Sequence, residues 1–178
     1  MASQHPLQKL PSPSWGLSLA VHLLGIASFN YNFMFLQQWD VPIAKAYGWH
    51  FQFLTIIGLA ASMIGFMFGA AADLTKSRTL FQVKNYIAVL ATPVEVVISI
   101  LYWGIRFIDS KLLMPDEFYI DILPDVGFHL APAVFLTIDL LFFSPPWTVP
   151  AYGMMALSTA FTFAYWFWVE HCYSHNGW

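Results

Sequence analysis

The stretch AYGWHFQFLTIIGLAASMIGFMFGAA, residues 46–71, begins as a polar, aromatic turn and becomes almost wholly apolar. From Phe51 onward it runs without a charged side chain for the ~20 residues that an α-helix needs to cross the hydrocarbon core of a bilayer. That run sets the solvent of the fold. Thr55 sits just past the change from turn to apolar run. A threonine inside a span ordinarily returns its hydroxyl to the carbonyl one turn earlier. Beside a base at the membrane edge, the same hydroxyl becomes a nucleophile.

Composition agrees with a membrane fold. Of 178 residues, 58 % are hydrophobic, 19 % aromatic and only 10 % charged, against about 25 % charged in soluble domains. The mean hydropathy is +0.61. A net charge of −3 with no run of clustered Lys or Arg excludes a nucleic-acid partner. Cys172 is the single cysteine, so no internal disulfide can form. The first apolar segment is too long for the core of a signal peptide and reads as a retained span.

Five apolar segments, 15–36, 51–72, 85–108, 126–143 and 150–170, predict an all-α, polytopic helical bundle with five transmembrane helices. Residues 1–14, MASQHPLQKLPSPS, read as a flexible tail, and 15–178 as a single multi-pass domain. The connection SPPWTV at 144–149 is short and proline-rich, as suits a tight turn between helices. The connection 73–84 carries Lys76, Arg78 and Lys84, whereas 109–125 carries Lys111 alone. The positive-inside rule then puts 73–84 and the amino terminus in the cytoplasm and 109–125 on the outer side. Tyr47, Trp49, Tyr102, Trp103, Trp147 and Trp178 fall near the span ends and read as interface anchors.

Polar side chains within spans need a reason, since a mid-membrane charge costs about 2.5–3.5 kcal/mol on insertion scales. Glu95 lies in the third span just after Pro93, and Asp139 in the fourth. Arg106 stands near a span end, where it can snorkel without a functional role. His22 reads as a neutral, satisfied core histidine. His171 and His175 make one H-x-x-x-H pair, too little to define a metal site. The sequence has no phosphate-binding glycine loop and no G-x-S-x-G elbow, and no residue pattern calls for a cofactor or metal.

Thr55 and His129 share a depth. Each lies a few residues inside a span that starts from the outer face, so on adjacent helices a hydroxyl and an imidazole come within reach. A neutral histidine can take a threonine proton near pH 7. Asp125, one turn before His129, is placed to orient the ring.

Several local stretches carry a resemblance. YGWHFQFLT (47–55) is similar to a tyrosine-glycine turn leading into Phe-Leu-Thr, and AVLATPVEVV (88–97) to an Ala-Val-Leu-Ala-x-Pro-Val segment. YWGIRFIDSKLLMP (102–115), HLAPAVFLTID (129–139) and WVEHCYSHNGW (168–178) follow in the same order. Together they resemble the androgen-induced protein family, which includes the androgen-dependent regulator of tissue factor pathway inhibitor. The family consists of membrane threonine hydrolases of fatty acid esters of hydroxy fatty acids.

The resemblance implies Thr55 as nucleophile, His129 as base and Asp139 as the acidic position, with a lipid ester as substrate. It also implies an endomembrane such as the endoplasmic reticulum, or the plasma membrane, as location. Family members carry two histidines three apart; here Pro132 stands three after His129. Spacing to Asp139 equates His129 with the second of them, and spacing from Pro124 with the first. Members also carry one more span than is visible before Trp178. The same residues allow an alternative, a non-catalytic membrane protein in which Glu95 and Asp139 serve transport or helix association.

Overall fold

The computed structural model describes residues 16–113, 120–145 and 150–177. The tail expected over 1–14 and the anchors Trp147 and Trp178 lie outside these described residues. Within them the chain is helical, with no strand. The α-helices are α1 (Leu17–Gln38), the short α2 (Pro42–Lys45), α3 (Leu54–Thr75), α4 (Arg78–Ile108), α5 (Ile122–His129), α6 (Ala131–Phe143) and α7 (Ala151–Asn176). A 3-10 turn at Trp49–Gln52 precedes α3, and another at Ser110–Leu112 follows α4.

The expected count of five spans is corrected. Helices α1, α3 and α4 are long and apolar enough to cross a bilayer, and α5 with α6 makes a fourth span if the pair, bent by 41°, is taken as one. Helix α7 has the length but not the composition, because Tyr, Trp, Ser and Thr are spread along it. The bend falls at Leu130. Pro132, in the first turn of α6, has no N–H to offer the Phe128 carbonyl, so the ladder cannot run straight through.

A tight turn joins α3 to α4. Lys76 adopts the left-handed conformation that ends α3, and Ser77 Oγ accepts the Leu80 N–H at 3.4 Å to cap α4. Small residues bring the helices together, as lipid-embedded packing requires. A Cβ on Gly58 would collide with the Glu95 carboxyl of α4, and one on Gly69 with the His22 ring of α1. Between the helices lies an aromatic layer in which Phe29 meets Phe66 and Phe135 edge to face, at 5.4 and 5.8 Å between ring centres.

One end of the bundle is closed by a buried ionic network. Lys84 Nζ lies 2.9 and 2.8 Å from the two Asp139 oxygens and 2.9 Å from Ser144 Oγ, and Ser144 donates to Asp139 at 3.1 Å. His22 links this pair to α3: Nε2 is 3.0 Å from Asp139 Oδ1, and Nδ1 is 2.9 Å from Asp73 Oδ2. Ser18 donates to the same Asp73 oxygen at 2.8 Å.

One expectation changes here. Lys84 is a buried residue of α4, not a loop charge, so the connection between α3 and α4 shrinks to Lys76 and Ser77. The orientation argument then rests on Lys76 and Arg78 alone. His22, read as a satisfied core histidine, is buried with each ring nitrogen beside a carboxylate.

Removing one partner of a buried pair leaves the other charge stranded, at a cost of about 3–5 kcal/mol. Lys84→Met is therefore expected to lower the thermal midpoint of the detergent-solubilised protein sharply. Lys45→Met, which removes an ion pair to Asp40 exposed to solvent, is expected to change stability by no more than about 1 kcal/mol and so to leave the midpoint nearly unmoved.

Candidate active site

The opposite end of the bundle holds a cavity of ≈ 320 Å³. Its position follows from helix periodicity. Thr55 lies 73 − 55 = 18 residues before Asp73 on α3, and Tyr102 lies 102 − 84 = 18 residues after Lys84 on α4. Eighteen residues are five turns at ~3.6 residues per turn. The cavity residues therefore share a helix face with the network residues, about 27 Å away at ~1.5 Å per residue. Thr55, His129, Tyr102 and His50 supply polar groups to the lining, and Leu36, Trp39, Ile56 and Phe128 are among its apolar walls.

Thr55 stands in the first turn of α3, and its hydroxyl makes no hydrogen bond with a described residue. Ser62, Thr75 and Thr162 behave as spanning hydroxyl residues usually do, donating to the carbonyl four positions earlier at 2.7–2.8 Å. For Thr55 that carbonyl belongs to Phe51, and it accepts the indole N–H of Trp168 at 2.8 Å instead.

The Thr55 backbone N–H is similarly left over. The Leu54 N–H donates to Tyr165 Oη at 3.1 Å, and the Ile56 and Ile57 N–H groups donate to the Phe53 carbonyl. No acceptor among the described residues faces the Thr55 N–H.

Helix α7 sets this turn. Tyr165 donates to the Gln52 carbonyl at 3.0 Å while capping Leu54, and Asn176 binds both the N–H and the carbonyl of Tyr47. Gly48, with φ +85°, lies so close to Cys172 that a side chain there would collide with its Sγ and press on Trp168. His171 and His175 pack on the Tyr47 ring.

His129 is the last residue of α5. Its Nδ1 lies 2.9 Å from Asp125 Oδ1. With Nδ1–H donated to the carboxylate, Nε2 is the basic nitrogen, and it has no partner among the described residues. Asp125 is fully buried: Tyr102 Oη donates at 2.5 Å to the same Oδ1 that faces His129, and the Arg106 guanidinium pairs with Oδ2. The Tyr102 ring lies flat on the imidazole, 3.4 Å between centres with planes 2° apart. Nearby His50 is buried between Trp39 and Trp49, and burial holds its imidazole below the usual histidine range.

The structure thus brings Thr55 and His129 to one cavity and Asp125 to His129. It keeps Asp139 and Glu95 elsewhere. Asp139 is bound to Lys84 and His22, and Glu95 is buried against Gly58 with Oε1 unpartnered. The expectation that Arg106 merely snorkels is corrected, because it pairs with Asp125. Tyr102, expected as an interface anchor, is part of the same cluster. Both could have been found from their four-residue spacing on α4, which matches the spacing of Asp125 and His129.

Residues 17–178 match the FAR-17a/AIG1-like protein family. The chain belongs to that family. A UPF0641 membrane protein of Schizosaccharomyces pombe is similar to it, 35 % identical over 163 residues that make up 89 % of this chain and 73 % of the relative. No solved structure matches. With its apolar helices, this FAR-17a/AIG1-like chain is an integral, multi-pass membrane protein.

Loss of the Tyr165 hydroxyl unfastens the first turn of α3. A hydrogen bond of this kind contributes about 1 kcal/mol. Tyr165→Phe is thus expected to speed hydrogen exchange of the Leu54 amide about fivefold while exchange in the middle of α3 stays unchanged.

Proposed function

We propose that this protein is an intramembrane carboxylic ester hydrolase with Thr55 as nucleophile and His129 as general base. One observation carries the reading: a threonine hydroxyl and an imidazole nitrogen, each without a partner among the described residues, line the same cavity, and Asp125 holds the other side of that imidazole. An apolar cavity with a few polar groups at its rim suits an ester whose hydrocarbon lies in the bilayer.

His129 Nε2 takes the Thr55 proton as Oγ1 bonds to the ester carbonyl carbon. The carbonyl π electrons move onto oxygen, giving a tetrahedral oxyanion. The free Thr55 N–H, at the positive end of α3, is the donor for that oxyanion. Collapse breaks the bond to the alkoxy oxygen, which leaves as an alcohol with the proton from His129. Water, deprotonated by His129, then releases the acid from acyl-Thr55. Asp125 keeps the imidazole in the correct tautomer throughout, while Tyr102 and Arg106 hold Asp125.

Membership in the family, together with the sequence resemblance, points to fatty acid esters of hydroxy fatty acids as the substrate class. If the cytoplasm lies on the side of Lys76 and Arg78, the cavity opens to the outer side. The helix-association role considered for Asp139 agrees with its bonds to Lys84 and His22, and it sits beside the hydrolase reading without conflict.

A fluorophosphonate probe is expected to label the wild type on Thr55 and to leave Thr55→Ala unlabelled. His129→Ala is expected to lower ester hydrolysis by at least ~10³-fold, and Asp125→Asn by ~10²–10⁴-fold, with the fold intact by thermal melting. Undiminished labelling of Thr55→Ala would refute the assignment. Unchanged function in Thr55→Ala with loss in Glu95→Gln and Asp139→Asn would favour the non-catalytic alternative.

A further inference from the structure

We infer that His50 is a second oxyanion donor, its Nε2–H joining the Thr55 backbone N–H on the ester carbonyl oxygen. The inference rests on the hydrolase reading and adds a catalytic residue to it.

The Thr55 N–H by itself is half of an oxyanion hole, which ordinarily has two donors fixed before the charge forms. Among the histidine, threonine and tyrosine side chains that line the cavity, Thr55 is the nucleophile and His129 the base, and Tyr102 Oη already donates to Asp125. His50 is left without a role.

Its surroundings leave one nitrogen free. His50 is 1 % exposed, and Nε2 has no hydrogen-bond partner among the described residues. Buried polar groups are otherwise nearly always paired, so a free one in a cavity wall marks a bond that a ligand completes. The ring lies parallel to Trp39 at 5.8 Å and edge-on to Trp49 at 4.7 Å between ring centres. An indole has a donor and no acceptor, so neither neighbour can take the Nε2–H. Burial favours the neutral imidazole. In that form it donates one N–H without competing with His129 in the proton transfers.

The backbone ties the two donors together. The His50 carbonyl accepts the Phe53 N–H at 3.1 Å, and the Phe53 carbonyl accepts those of Ile56 and Ile57. His50, Phe53, Thr55 and Ile56 all line the cavity. In the first turn of α3 the Thr55 N–H points back out of the helix end, where the Trp49–Gln52 turn joins it. That turn is entered through two left-handed residues, Gly48 at φ +85° and Trp49 at φ +48°. A bulky residue is rarely held there, and such strain persists where the surroundings over-determine it, often at functional sites. As Thr55 Oγ1 attacks, the carbonyl π pair moves onto oxygen, which accepts both N–H bonds. No proton leaves either nitrogen, and the pair returns to carbon on collapse.

The test uses the full chain in one detergent, with p-nitrophenyl octanoate as substrate and a trifluoromethyl ketone of matching chain length as inhibitor. The ketone adds to Thr55 as a tetrahedral oxyanion. His50→Phe keeps a ring between the indoles and removes the donor. It is expected to lower kcat about 10²-fold and weaken the ketone about 10²-fold, with KM within about twofold of wild type and an unchanged thermal midpoint. His50→Gln, which restores an N–H, is expected to recover about tenfold of each loss. Should His50→Phe fail to melt cooperatively, His50→Gln against His50→Met, equal in size and without a donor, is expected to show the same contrast. A folded donor-less variant with kcat and ketone affinity unchanged, or with only KM raised, would overturn the second donor and leave the hydrolase standing. A wild type that neither labels at Thr55 nor hydrolyses the ester would overturn both.

Discussion

Lys84 and Asp139 face each other at 2.8 Å with about 1 % of either side chain exposed. In a bilayer neither can leave without becoming an uncompensated charge in a medium that solvates it poorly. His22 and Asp73 extend the constraint to two further helices. The network therefore fixes rotation as well as proximity. Each member must point inward, and every residue a whole number of turns away must point inward too. On α3 and α4 five turns lead to Thr55 and Tyr102. The cavity side chains at one end of the bundle are aimed by the electrostatics at the other, through helices too stiff to twist independently.

Between the two polar ends lies an aromatic layer. Edge-to-face rings leave little room for water or for a chain. The layer lies between the ionic network and the end that holds the cavity, and its low dielectric strengthens the network. Glu95 is the exception within this apolar middle. Its place against Gly58, where any larger residue on α3 would strike it, fixes the α3–α4 spacing there.

Much of this was legible in the sequence, and the limits have physical causes. Apolar run lengths reveal the helices, and the four-residue spacing of Asp125 and His129 places them together because a helix repeats on that interval. The common depth of Thr55 and His129 follows from counting residues into their spans. Lys84 was misread because a charge near a span end looks like a loop residue until its partner is known, and Asp139 lies 55 positions away. The span count failed at α7, whose scattered Tyr, Trp, Ser and Thr leave it short of a span's apolar composition, while the fourth segment stays apolar and bends at Leu130. Most hidden was what holds the turn before Thr55: Trp168 reaches the Phe51 carbonyl from 117 positions away, and no local pattern encodes that.

The clasp between α7 and the turn before α3 has a consequence for biosynthesis. Leu54 and Phe51 take their partners from Tyr165 and Trp168, 111 and 117 positions downstream. Chains grow from the amino terminus, so α1, α3 and α4 can insert and pair while the turn carrying Thr55 is still unfastened. A nascent chain, or one cut before α7, has the residues of the cavity without their setting.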